Sequence, residues 1–183
     1  MTKGIIISVS LLVLAIAVYV GKQWFPMCND MELPGIQYQL GKGNETVSKP
    51  VVIRLEGKMK RSLLGRQHFE GRIEVSSEEL SVPKHSRTLR LVFDDSRAII
   101  DYRYFSDGQL GSYQYGTIYI DKDMNKFTIL RFSEETASYK GEKNIGWSGE
   151  NGIVISDPAA TREEAVKLSN EITYPLFKRN FFE

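Results

Sequence analysis

Residues 98–120 read Ala-Ile-Ile-Asp-Tyr-Arg-Tyr-Phe-Ser-Asp-Gly-Gln-Leu-Gly-Ser-Tyr-Gln-Tyr-Gly-Thr-Ile-Tyr-Ile. Ala98, Ile100, Tyr102 and Tyr104 alternate with Ile99, Asp101 and Arg103. This is the period of two by which a strand sends successive side chains to opposite faces. Ser106-Asp107-Gly108-Gln109 follows as a turn, because glycine accepts a positive φ without steric cost. Beyond it Tyr113, Tyr115, Thr117 and Tyr119 alternate with Gln114, Gly116, Ile118 and Ile120. The stretch therefore predicts an antiparallel hairpin, and it sets the expectation for most of the chain.

The same period recurs on both sides. Upstream, Val51, Ile53 and Leu55 alternate with Val52, Arg54 and Glu56. Phe69, Ile73 and Val75 read as the returning strand, and Leu89, Leu91 and Phe93 as a further one. Downstream, Phe127 to Phe132 reads as a strand, and Trp147 opens a pair that turns at Asn151-Gly152 and closes with Ile153-Val154-Ile155. The period then changes. Thr161-Arg162-Glu163-Glu164 is a capping box, with acidic residues in the first turn where the helix dipole favours them. Ala165, Leu168 and Ile172 form one apolar stripe, so a helix is predicted from Arg162 to Tyr174, with Pro175 ending it. The predicted fold is mainly β: an antiparallel meander, as a sandwich or a partial barrel, with the C-terminal helix packed on it. A lipocalin-like barrel is the alternative architecture.

The start of the chain differs in kind. Gly4 to Val20 carries no charge. As a helix it rises roughly 26 Å, close to the ~30 Å hydrocarbon core of a bilayer. Lys22 suits the snorkelling position, and Trp24 with Phe25 suits the interfacial belt. A cleaved signal peptide is the rival reading, since Ala15-Ile16-Ala17 fits the small-x-small cleavage pattern, but Val18-Tyr19-Val20 follows where a polar region is expected. The predicted organisation is a transmembrane anchor over 1–25, a stalk or linker over 26–49 with one short strand at Ile36 to Leu40, and a β-rich domain over 50–183. The expected partner of residues 4–20 is the lipid bilayer. The positive charge of the α-amine and Lys3 before the span, against Asp30 and Glu32 after it, puts the domain outside the cell membrane.

Three stretches carry a resemblance: Gly116-Thr117-Ile118-Tyr119-Ile120-Asp121-Lys122-Asp123, Trp147-Ser148-Gly149-Glu150-Asn151-Gly152, and Thr161-Arg162-Glu163-Glu164-Ala165. Together they resemble small, uncharacterised, N-terminally membrane-anchored proteins of Gram-positive bacteria. The resemblance covers about the last third of the chain. It implies a bacterial envelope setting and brings no activity or site residue with it.

Composition narrows the function. The net charge is +1, which argues against a nucleic-acid partner bound through bulk charge. Cys28 is the only cysteine, so an internal disulfide and a cysteine zinc cage are both excluded. His68 and His85 have no ligand neighbours at metal spacing. Asp121-Lys122-Asp123-Met124-Asn125 opens like a calcium loop, but Lys126 stands where glycine is needed and Phe132 where a bidentate glutamate is needed, so a polar turn is expected. Ser148 has no assignable base, and Asp94-Asp95 reads as a turn after Phe93. No catalytic set, cofactor motif or metal site is assigned.

Two candidate surfaces remain. Lys58, Lys60, Arg61 and Arg66 lie in a locally basic hairpin suited to an anionic surface, against the plainer reading of a solvated strand face. Tyr102, Tyr104, Tyr113, Tyr115 and Tyr119 are expected on one sheet face, either lining a ligand cavity or simply filling the core. The function expected is a membrane-anchored extracytoplasmic domain that binds an envelope protein or polymer. A lipocalin-like carrier of a small apolar ligand is the alternative, and an envelope hydrolase with scattered carboxylates is a third.

Overall fold

A computed structural model describes residues 10–14, 27–62, 66–76, 78–106, 108–121, 125–136 and 143–183. The apolar run Gly4–Val20 lies mostly outside them. Residues 10–14 are helical and exposed, and among the described residues no helix is long and apolar enough to cross a membrane.

Among the described residues, ten strands and one main helix follow. The strands are β1 (Met27–Gln39), β2 (Ser48–Arg61), β3 (Gln67–Val75), β4 (Leu89–Val92), β5 (Arg97–Ser106), β6 (Gln109–Ile120), β7 (Phe127–Arg131), β8 (Ser133–Thr136), β9 (Lys143–Gly146) and β10 (Ile153–Asp157); the helix is α1 (Arg162–Phe177). Eight strands form one sheet in the order β4-β3-β2-β1-β10-β7-β6-β5, antiparallel at every pairing. Around the sheet this is chain order, with the small β8–β9 hairpin set aside. The sheet curls into a nearly closed barrel whose two free edges, β4 and β5, are consecutive in the chain. The expected antiparallel meander thus curls into a partial barrel.

The stalk expected over 26–49 is corrected. Met27–Gln39 is a 13-residue strand in the middle of the sheet. It pairs with β2 from Met27↔Met59 to Tyr38↔Ser48, and with β10 only from Ile36↔Ser156 to Gln39↔Ile153. Its apolar residues change face halfway. Met31 and Leu33 point into the barrel, whereas Ile36 and Tyr38 point outward beneath α1. A strand covered on one face and then on the other shows no continuous period of two. Pro34 sits just past the end of β10, on the half of β1 that is an edge, where a missing N–H is tolerated. The Trp147 strand is also corrected: Trp147 lies outside any strand, its indole Nε1 donating to the Ile153 carbonyl at 3.1 Å.

Two apolar clusters hold the fold. The barrel interior contains Ile53, Leu55, Phe69, Ile73, Leu91, Ile100, Tyr102, Ile118, Phe127 and Ile129, each nearly inaccessible to solvent. Leu80 and Val82, from the loop between β3 and β4, belong to the same cluster. Gly57 and Gly71 face each other across β2 and β3. The Phe69 ring lies over that pair, so close that a Cβ on Gly57 would stand 2.7 Å from its Cζ. The glycines thus make room for an aromatic ring where the sheet bends.

The second cluster is outside the barrel, where α1 covers β1, β10 and β7 through Ala165, Ile36, Tyr38, Leu130 and Val154. Thr161 caps α1, its hydroxyl accepting from the Glu164 N–H at 3.2 Å, while the Glu164 carboxylate accepts from the Ala160 N–H at 2.8 Å. The helix runs through Pro175 to Phe177, further than expected, and ends at Lys178 in the left-handed conformation with φ 56°. Phe181 and Phe182 then turn back against Trp147, held by the Asn170 side chain.

Candidate functional site

The candidate site is the junction between β4 and β5. Asp95 and Ser96 both have positive φ, 46° and 67°, which is the backbone of a type I′ hairpin turn built without glycine. Asp94 and Arg97 exchange two backbone hydrogen bonds of 2.9 and 3.0 Å across it. The hairpin then stops. The Phe93 N–H donates to the Gln67 carbonyl on β3 rather than across to β5, and β4 and β5 pair only with β3 and β6 respectively. The Asp94-Asp95 pair is therefore a turn, as expected.

Over this open seam the outer surface is concave. The cleft has a volume of about 940 Å³ and is lined by Arg90 and Val92 of β4, by Arg97, Ile99, Asp101 and Arg103 of β5, and by Gln114, Thr117 and Tyr119 of β6. Val92 and Ile99 are 57% and 56% exposed. The Asp101 carboxylate accepts from Ser112 Oγ at 2.7 Å and from Arg103 Nε at 3.1 Å. Arg90 Nε lies 3.5 Å from Glu70. Arg97 has no carboxylate within ion-pair distance among the described residues. Beneath the cleft, Leu89, Leu91, Ala98 and Ile100 close the barrel with side chains alone.

The tyrosine set divides. Tyr102 and Tyr113 are directly paired and, with Tyr104 and Tyr115, point into the barrel. Tyr119 does not. The register shifts between Ile100↔Gly116 and Asp101↔Gln114, leaving Tyr115 as an extra residue on β6. One inserted residue reverses the facing of everything beyond it. Tyr119 is thereby turned outward, against Phe177 of α1. The inward tyrosines are packed, with the Tyr102 hydroxyl donating to the Ile73 carbonyl at 2.9 Å. Burial raises the pKa of both Tyr102 and Tyr115 well above the ordinary phenol value. Beside Tyr115, Arg131 Nε stands 2.7 Å from the buried Glu78 carboxylate, without the alignment of a hydrogen bond.

The basic set is on the β2–β3 hairpin, whose Gln67 carbonyl accepts from the Phe93 N–H just before the β4–β5 turn. Lys58 and Arg66 are exposed. Lys60 donates to Glu70 at 2.8 Å, and that bond lowers the pKa of the exposed Glu70 carboxyl. Arg61 ends β2, and its side chain lies outside the description. The pairing Cys28↔Lys58 puts this hairpin beside the first residues of β1.

The remaining candidates have structural employment. Asp121 Oδ1 accepts from the N–H groups of Asn125 and Lys126 at 2.8 and 3.2 Å, as in a polar turn. Ser148 Oγ accepts from the Glu150 N–H at 3.2 Å. Among the described residues no three histidine, cysteine or acidic side chains converge on a metal-sized site. Asp157 was not singled out by sequence. It is wholly buried on β10, neither oxygen has a hydrogen-bond partner among the described residues, and burial pushes its pKa up to about 7. Gly35 gives it room, since a Cβ there would meet Ile53 Cδ1 at 2.8 Å and the Asp157 Cβ at 3.3 Å.

Comparison of the chain with known protein families, with curated proteins and with solved structures finds no match.

Proposed function

We propose that this chain is a single-pass, membrane-anchored extracytoplasmic binding domain, with residues 4–20 as the anchor in the cell membrane and an envelope protein or polymer as the partner. The observation that carries the binding reading is the exposed seam. A concavity of about 940 Å³ lies outside the barrel, where guanidinium groups, carboxylates and exposed aliphatic side chains meet. The carrier alternative has less support, because Phe69, Tyr102, Tyr115 and Phe127 occupy the barrel interior that a lipocalin-like ligand would need. The tether reading is supported by the uncharged run Gly4–Val20 and by the basic hairpin beside the start of β1. Lys58 and Arg66 there suit the headgroup level of an anionic bilayer.

Intact mass and fractionation of the protein in a bacterial host test this reading. The expected result is an uncleaved chain that resists carbonate extraction and whose domain is digested by protease added to intact, wall-stripped cells. A soluble chain beginning near Val18, or a domain protected from external protease, overturns it.

A further inference from the structure

We propose that the free edge of β1 is a strand-addition site for an extended peptide that alternates basic and aliphatic residues. The site is separate from the cleft over the β4/β5 junction and does not rest on it.

β1 has 13 residues, and β10 pairs with only its end, from Ile36 to Gln39. The Ala159 N–H donates to the Pro34 carbonyl at 3.4 Å, and the chain then leaves for α1. β10, β7 and β6 all have an end at this level, where Asp157 pairs with Phe127 and Phe127 with Ile120. β1 and β2 continue past it, paired as far as Met27↔Met59. Among the described residues, no strand but β2 and β10 is paired with β1. The direction of the free groups follows from the alternation along a strand. The Gln39 N–H donates to Val47 on the β2 side, and the Leu40 N–H to Gly152 on the β10 side. The even-numbered residues of β1 therefore turn their N–H and C=O groups towards the line of β10. For Asp30 and Glu32 that line holds no strand. An extended peptide running antiparallel to β1 satisfies such an edge with its own alternating groups.

The side chains along the edge select the guest. On the outward face Asp30 is exposed and stands directly opposite Glu56. Like charges so placed are unfavourable. Glu56 has Arg72 opposite it on β3, and Glu32 accepts from Arg54 Nε at 2.9 Å. Among the described residues no basic group comes within ion-pair distance of Asp30. The unmet charge of this edge is negative, and a lysine or arginine of the guest beside Asp30 meets it. On the inward face Met31 and Leu33 pack against the barrel core but are only half-buried. Aliphatic residues of the guest, falling between its basic ones, extend that contact. The same acids disfavour a second copy of this chain, because antiparallel pairing of two such edges sets Asp30 and Glu32 of one against those of the other.

The test uses the full chain in neutral detergent micelles, so that its outcome is separate from that of the anchor experiment. The probe is a fluorescent, end-blocked peptide Thr-Lys-Val-Lys-Val-Lys-Thr. Fluorescence anisotropy, measured against empty micelles, should show saturable binding. Methylating the lysine amides, which face β1, should weaken binding by about tenfold or more, and methylating the valine amides, which face away, should not. Asp30→Lys removes the like-charge pair with Glu56, so thermal stability should hold or rise. Binding of the lysine probe to this variant should nonetheless fall by about tenfold or more, and Thr-Glu-Val-Glu-Val-Glu-Thr should bind it better than it binds the native chain. The backbone amides of Asp30 and Glu32 should gain protection from hydrogen exchange when the lysine probe is added. No saturable binding, an equal effect of the two methylation patterns, or indifference to Asp30→Lys overturns the proposal. Concentration-dependent dimers that protect the same amides in the absence of probe overturn it in favour of a second copy of this chain.

Discussion

The hydroxyl of Tyr38, on β1, donates to Ser169 Oγ, on α1, across 2.8 Å in the buried interface between helix and barrel. The Ser169 hydroxyl in turn donates a hydrogen bond to the Ala165 carbonyl at 2.8 Å. Its oxygen is then left to accept from Ser156 Oγ, 2.6 Å away, and Thr128 Oγ1 lies 3.1 Å from Ser156. Four hydroxyls from β1, β7, β10 and α1 thus satisfy one another where no water reaches. Burial also raises the pKa of the Tyr38 phenol far above its ordinary value, so it remains a donor at any physiological pH. Removing one member strands the others, which costs more than the net value of the bond removed. Ser169→Ala should therefore lower unfolding stability by about 1–3 kcal/mol. Adding Tyr38→Phe to that variant should cost little more, because the stranded donor is then gone. Denaturant unfolding of the two single variants and the double variant measures the coupling, and strict additivity would show that the network is not a unit.

The helix is tied to the barrel by apolar contact as well as by this network. Leu168 is 6% exposed and Ala165 is fully buried. Leu168→Ala should cost roughly 2–5 kcal/mol, by lost transfer energy and a residual cavity. Thr161→Ala removes the 3.2 Å cap bond to the Glu164 N–H and should cost about 1 kcal/mol. Equilibrium unfolding in denaturant distinguishes the two. A neutral Leu168→Ala would mean that α1 is not packed on the barrel.

Asp157 should give the protein an inverted acid response. Its ordinary pKa is 3.8, and burial without partners raises it to about 7 in the folded state. The unfolded chain therefore releases this proton first as pH rises. Its share of stability is full below the unfolded value, declines between roughly pH 4 and pH 7, and is lost above that window. Asp157→Asn should leave stability near pH 4 almost unchanged and raise it at pH 8, by up to about 4 kcal/mol if the whole shift is expressed. Urea unfolding of both proteins across this range checks the sign. An unfolding free energy that falls equally in both would assign the pH dependence to other groups.

The sequence by itself determined the strand type, most strand positions and the helix. Wherever one face of a strand is buried throughout, as in β5 or the first half of β2, the burial writes a period of two into the chain. The capping box at Thr161 is equally local, since both of its bonds lie within four residues. Only the tertiary structure decided the rest. β1 reads as a stalk in sequence because its covered face changes from the barrel interior to the underside of α1, so its apolar residues fall out of step at Gly35. Tyr119 falls in step with the inward tyrosines in sequence because one extra residue in β6 has no signature in a pattern of alternate residues. Asp157 is an ordinary acid in the sequence and acquires its pKa from burial alone. The seam lies deepest. Nothing in Phe93-Asp94-Asp95-Ser96-Arg97 distinguishes a hairpin that zips from one that stops, because a backbone hydrogen bond depends on where β3 and β6 hold the two strands and not on the residues at the turn.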